Sequence, residues 1–185
     1  MANSQRLVYT IGHGNRDIDE FVGLLGSVGM RTLVDVRAYP TSRRYPQFNS
    51  NSLRLALADA DIIYHWAGLD LGGFRQNRPD SRHLSLAGSL RAYADHMETP
   101  EFQRALDQLV RLANKACTTI MCAEKQPAHC HRSLIADYLS LRGTQIRHLV
   151  DTDETLEHRL SRLVRCEGEH LIYDCLLQGE LGLSG

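Results

Sequence analysis

The chain has 185 residues, 43% of them hydrophobic, with 21 basic against 22 acidic residues and a net charge of −1. That length suits one domain with a substantial core, and the near-zero charge excludes broad electrostatic attraction to nucleic acid or anionic membrane. No apolar run approaches the roughly 18 residues of a membrane span, the start of the chain lacks the basic and apolar regions of a signal peptide, and the five cysteines form no regular framework, so a cytoplasmic protein with free thiols is expected.

In chain order, Leu7 to Ile11 reads as a first strand, broken by Gly12-His13-Gly14-Asn15-Arg16. Asp17 caps the next helix, with Ile18, Phe21, Val22, Leu25 and Val28 as its buried face and Gly29 as its stop. Thr32 to Val36 is a second strand that directs Asp35 and Arg37 the same way, because strand side chains alternate. A loop from Ala38 to Asn49 follows, with Pro40, Pro46, Arg43, Arg44 and three aromatics. Ser50 to Ala60 is a short helix and Ile62 to Trp66 a third strand, with Trp66 expected in the core. Residues 67–85 are rich in glycine and arginine without a clear period, and a loop of that length within a compact domain is a candidate lid.

Leu86 to Met97 reads as a helix, and Thr99-Pro100-Glu101 opens another: a hydroxyl cap, proline in the first turn and an acid at the positive dipole end. Thr118 to Cys122 is a short, partly β-branched strand, and after a polar loop with Pro127 the apolar residues Leu134, Ile135, Tyr138 and Leu139 mark a helix that Gly143 ends. Gln145 to Val150 is a fifth strand, and Asp151 to Val164, with Leu156, Leu160 and Leu163, is expected to be a last helix. Residues 166–185 form a C-terminal extension in which Leu171 to Leu177 packs on the body or mediates a homodimer. Alternating strands and helices predict one three-layer α/β domain over residues 1–185, a mostly parallel sheet of about five strands with helices on both faces, Rossmann-like or rhodanese-like.

Chemistry concentrates at strand ends, where an open α/β sheet binds ligands and helix amino termini favour anions. Cys122 and Cys130 flank the polar loop before the Leu134 helix, with Glu124, His131, Arg132 and Ser133 close by. Three readings stand open for the sulfurs: a thiolate nucleophile or exchanging thiol pair, small buried core residues, or metal ligands drawn from Cys122, His129, Cys130 and His131. Apart from that metal, no cofactor is expected. Arg37, Arg43, Arg44 and Arg132, with His13 and Asn15 from the first loop, are expected to converge on one anion site; Asp35 and Glu124 would orient them or act as acid and base. Tyr45 and Phe48 could stack a base.

Ile11 to Arg16, Val34 to Arg37 with Ser42 to Asn49, and Met121 to Glu124 with Cys130 to Ser133 together resemble the domain-of-unknown-function-488 family, from about Tyr9 to Leu149. That resemblance implies a fold and a site but no settled activity. Leu33-Val34-Asp35-Val36-Arg37, and Cys122 at a strand end followed by Arg132-Ser133, are also similar to rhodanese-like domains. Arg132 follows Cys122 by ten residues, however, further than the arginine follows the catalytic cysteine in those proteins. The expectation is a cysteine-dependent enzyme acting on a phosphorylated or anionic small molecule or nucleotide, by sulfur or phosphoryl transfer or hydrolysis. A nucleic-acid-binding module with structural cysteines is the alternative, and a metal- or redox-responsive regulator the third.

Overall fold

The computed structural model describes residues 6–151 and 154–175. Its frame is a six-stranded sheet in the order β3-β2-β4-β1-β5-β6, made of β1 (Leu7–Gly12), β2 (Thr32–Asp35), β3 (Ile63–Trp66), β4 (Thr118–Cys122), β5 (Gln145–Asp151) and β6 (Glu154–Glu157). β1 to β5 are parallel and β6 is antiparallel to β5. Strand periodicity builds two cores. Val8, Val34, Ile120 and Ile146 face one side, while Ile11, Leu33, Met121 and Leu149 face the other.

The second side is covered by α1 (Ile18–Ser27) and α2 (Ser50–Asp59), through Phe21, Leu24, Leu25, Leu53 and Leu57. The short α3 (Gly68–Leu71) lies in the following connection; α4 (Gly88–Met97), α5 (Pro100–Ala113) and α6 (His131–Leu141) cover the first side through Tyr93, Phe102, Leu106 and Ile135. Each such side chain, fully buried, contributes about 1.5–3 kcal/mol, enough to hold both layers against the entropy of ordering them. Caps set the helix starts as the sequence implies: Asp17 Oδ1 accepts from Glu20 N at 2.7 Å, and Thr99 Oγ1 from Phe102 N at 3.3 Å.

Two expectations are corrected, for the last helix and for Trp66. The stretch from Asp151 to Val164 is not a helix. It carries the edge strand β6, and its polar groups are claimed elsewhere: His158 N donates to Ile146 O, while the His158 ring and Ser161 N both bind Asp137 Oδ1. A helix stripe would bury Leu156 and Leu160, yet these are 43% and 42% exposed. The extension is structured as far as residue 175: β7 (Val164–Glu167) and β8 (His170–Tyr173) form a separate hairpin whose Leu171 and Tyr173 enter the first core. Leu176 and Leu177 lie outside the described residues. Trp66 is not core but 49% exposed on the edge strand β3, and its indole N–H donates to Arg37 O at 2.9 Å. Among the described residues no helix is long and apolar enough to cross a membrane.

Candidate active site

A cavity of about 850 Å³ opens at the carboxyl ends of β1, β2 and β4. The parallel ladder continues past the strand ends and draws the loops together: His13 N donates to Cys122 O at 3.0 Å, Gly14 N to Ala123 O at 2.8 Å and Val36 N to Met121 O at 2.9 Å. Gly12 is required for that approach, since a Cβ there would sit 1.8 Å from Glu124 O.

The thiol pair forms the cavity floor. Cys122 ends β4; Cys130 is the N-cap of α6, its Sγ accepting from Arg132 N at 3.5 Å. His131 Nδ1 stands 4.0 Å from Cys122 Sγ and 3.7 Å from Cys130 Sγ, and its Nε2 is 3.1 Å from Val36 O. Because a carbonyl only accepts, Nε2 carries the ring proton and Nδ1 presents a lone pair to the sulfurs. A hydrogen bond from Cys130, with the Glu124 N–H, holds the Cys122 thiol well below its ordinary value despite burial. The same hydrogen bond, with burial, pushes Cys130 up. The two thiols titrate as a pair, with the shared hydrogen bond favouring the thiolate on Cys122.

Cations line the wall. Asp35, fully buried, takes both Arg37 Nε and Nη2 (2.9 and 2.6 Å) and the Tyr64 hydroxyl (2.8 Å), while Arg37 Nη2 also donates to Phe48 O at 2.9 Å. Only Nη1 of Arg37 is left towards the cavity, 3.4 Å from His13 Nε2. His13 donates from Nδ1 to Gly14 O at 2.9 Å, and burial together with the Arg37 charge lowers it to about 4, so it is neutral at pH 7. Arg44, Lys125, Asn15 and Tyr45 complete the polar wall, with Arg44 5.3 Å from the centre of the Tyr45 ring; Glu124 is the only carboxylate lining the cavity among the described residues.

Of the residues singled out from sequence, the structure gathers Cys122, Cys130, Glu124, His13, Asn15, Arg37, Arg44, His131 and Tyr45. Others lie elsewhere. Asp35 is sealed beneath Arg37 with its oxygens engaged, so it positions Arg37 and does not meet a ligand. Phe48 is 0% exposed and stacks on His13 at 4.3 Å, which leaves no face for a base. Arg132 is buried behind the floor, where Nη2 braces the loop through Glu124 O (3.0 Å) and Lys125 O (3.3 Å). Ser133 spends its hydroxyl on Cys130 O at 2.9 Å, and Arg43 is exposed outside the lining. The side chain of His129 lies outside the described residues.

Sequence reasoning missed Lys125, Gly73 and Phe74, which line the cavity, and Tyr93, whose ring packs on His131 at 4.8 Å. Lys125 was legible as one of only two lysines, sitting within the thiol loop. Gly72, Gly73 and Phe74 place the start of the 67–85 segment at the mouth, where exposed Tyr39 and Phe74 approach to 5.6 Å.

A family model described as a domain of unknown function, DUF488, matches residues 17–139, the stretch from α1 into α6 that holds Asp35, Arg37, Cys122 and Cys130. No curated protein and no solved structure matches the chain.

Proposed function

The chain belongs to the DUF488 family, and from that premise we propose that it is an enzyme that uses Cys122 as a nucleophile on an anionic small molecule, transferring or hydrolysing a sulfur or phosphoryl group. The observation that carries the reading is the position of Cys122 Sγ on the floor of a cavity walled by Arg37, Arg44 and Lys125, with Cys130 as its hydrogen-bond partner and the His131 ring 4.0 Å away. A thiol lowered in this way supplies the thiolate more readily than a free cysteine, and the cations above it favour a negatively charged electrophile.

In this reading Cys122 Sγ forms a bond to sulfur or phosphorus as that atom's bond to its leaving group breaks, and the leaving group departs with the electron pair. Arg37, fixed by Asp35, presents Nη1 to the anion in one orientation, so little ordering is left for the moment of binding. Glu124 is the carboxylate within the cavity for activating water in a second step. Cys122→Ser should abolish turnover across a panel of thiosulfonate and aryl phosphate substrates while calorimetric binding of the same anions persists. Unchanged turnover would remove the nucleophile from the proposal.

The mouth supports a second reading. Tyr39 and Phe74, 69% and 77% exposed, stand beside Arg44, an arrangement suited to a nucleobase with its phosphate. Oligonucleotide binding over a salt series tests it, because phosphate contacts weaken as salt rises. No binding at low salt eliminates it.

A further inference from the structure

The atoms of the cavity floor also have the geometry of a metal site. Cys122 Sγ, Cys130 Sγ and a His131 ring nitrogen lie within 4.8 Å of one another. A tetrahedral zinc ion with bonds of about 2.3 Å to sulfur and about 2.0–2.1 Å to nitrogen sets its ligand atoms roughly 3.5–3.8 Å apart. Cys130 Sγ already stands 3.7 Å from Nδ1 and Cys122 Sγ 4.0 Å from it, and the two sulfurs, within 4.8 Å of each other, need close by no more than about 1 Å.

Two features around the triangle point the same way. His131 Nε2 donates to Val36 O at 3.1 Å, which fixes the tautomer with the Nδ1 lone pair towards the sulfurs; zinc-ligating histidines are commonly oriented by such an outer carbonyl. Gly73 stands over the face of the ring, where a Cβ would come within 2.7 Å of Nδ1 and 3.1 Å of Cγ, so the absent side chain lets the ring keep this position. All three ligand residues line the cavity, so a fourth position faces the cleft. Three protein ligands with one open position is the arrangement of a reactive or exchangeable site; structural zinc takes four.

We propose that Cys122, Cys130 and His131 bind a soft divalent cation, with Zn²⁺ as the fit, and that its occupancy withdraws Cys122 from use as a nucleophile. On binding, both sulfurs coordinate as thiolates and the Cys130 proton leaves to solvent, while the fourth position takes water. The coordination stands on geometry alone; its silencing effect rests on the nucleophile reading.

The test uses the full chain, stripped with a chelator and titrated with Zn²⁺ against a chromophoric competitor, and with Co²⁺ as a spectroscopic probe. One equivalent should bind, with thiolate-to-cobalt charge-transfer absorption and tetrahedral d–d bands. Cys130→Ser, which keeps an N-cap for α6, and His131→Ala should each weaken binding by about tenfold or more. Gly73→Ala, which keeps all three ligand residues but presses a methyl on the face of the His131 ring and so displaces Nδ1, should weaken it as well. In parallel, alkylation of Cys122 by iodoacetamide, followed by peptide mass spectrometry, should be slowed by Zn²⁺ in the wild type and not in His131→Ala. Binding no tighter than that of the Cys122→Ser, Cys130→Ser double variant, or binding that leaves Cys122 alkylation unchanged, overturns the proposal. The two readings fail separately: protection by Zn²⁺ with full turnover in Cys122→Ser defeats only the nucleophile, and an essential Cys122 that Zn²⁺ does not protect defeats only the metal.

Discussion

Two buried polar networks cross this molecule, and each contains a histidine held at about 4. At the cavity, His13 and Arg37 stand beside the thiol pair. On the other flank, Thr10 Oγ1 meets His148 Nδ1 at 2.7 Å, His148 Nε2 meets His158 Nδ1 at 3.0 Å, His158 Nε2 meets Asp137 Oδ1 at 2.9 Å, and Tyr173 OH donates to Asp137 Oδ2 at 2.9 Å. One direction of donation satisfies that second row: Thr10 gives to His148, His148 to His158, and His158 to Asp137 Oδ1. None of its members lines the cavity. A displaced pKa therefore does not by itself mark a site; what separates the two regions is whether polar valences end on the protein or on open space.

Cys122→Ser separates the two most widely. Turnover should fall by at least about a thousandfold, with the thermal midpoint nearly unchanged, because serine is close in size and Cys130 is left to cap α6. On the other flank Asp137→Ala should do the reverse. It strands the His158 ring, Ser161 N and Tyr173 OH together and should cost about 3 kcal/mol in urea unfolding, yet leave the rate of Cys122 alkylation where it was. A matching loss of alkylation rate in Asp137→Ala would mean that the two regions are coupled.

Asp35→Asn tests whether the cavity side also contains purely structural groups. The substitution leaves the Arg37 guanidinium buried beside a neutral amide, a loss of about 3 kcal/mol, and frees Arg37 to tilt, so anion affinity should fall along with the urea midpoint. Loss of affinity without loss of stability would put Asp35 in contact with ligand, against its burial.

The same distinction governs what the sequence disclosed. The convergence of Cys122, Arg37 and His13 was legible because strand order and alternation alone bring strand-end residues to one edge. The Asp137 network was not. It joins residues from five separate segments, and nothing in the local pattern around His158 distinguishes a residue tied to α6 from one on an exposed helix. Its tertiary hydrogen bonds overrode the helical spacing of Leu156, Leu160 and Leu163. Phe48 misled for a similar reason. The turn of Pro46–Phe48 directs it inward against Phe21 and His13, whereas Tyr39, in the same loop, stays out.

Acid should weaken both regions through their histidines. A histidine whose folded value lies below its unfolded 6.5 favours the neutral ring, so its contribution is complete above about 6.5 and is lost as pH falls towards about 4. His13 and His148 should each add a slope of at most about 1.4 kcal/mol per pH unit within that window. Denaturation midpoints measured from pH 7 to pH 4 should show a shallower slope in His148→Gln, with His13, His83 and His96, which burial also lowers, carrying the rest; an unaltered slope would place the titrating groups elsewhere.

The smallest effect expected is that of Arg44→Ala, and it bears most directly on how the cavity selects its ligand. Arg44 is exposed and, among the described residues, held only by its approach to the Tyr45 ring, so it lacks the anchoring that Asp35 gives Arg37. A charge on a solvated rim attracts weakly and is screened within about 8–10 Å at ordinary ionic strength. Its loss should therefore raise KM a few-fold at low salt, leave kcat and stability alone, and become undetectable as salt rises. Arg37→Lys should differ in kind, because lysine cannot span both Asp35 oxygens and still present a further N–H, so its defect should persist at high salt. Equal salt dependence in the two variants would make the cations a diffuse field; a difference would identify Arg37 as the group that fixes the anion over Cys122.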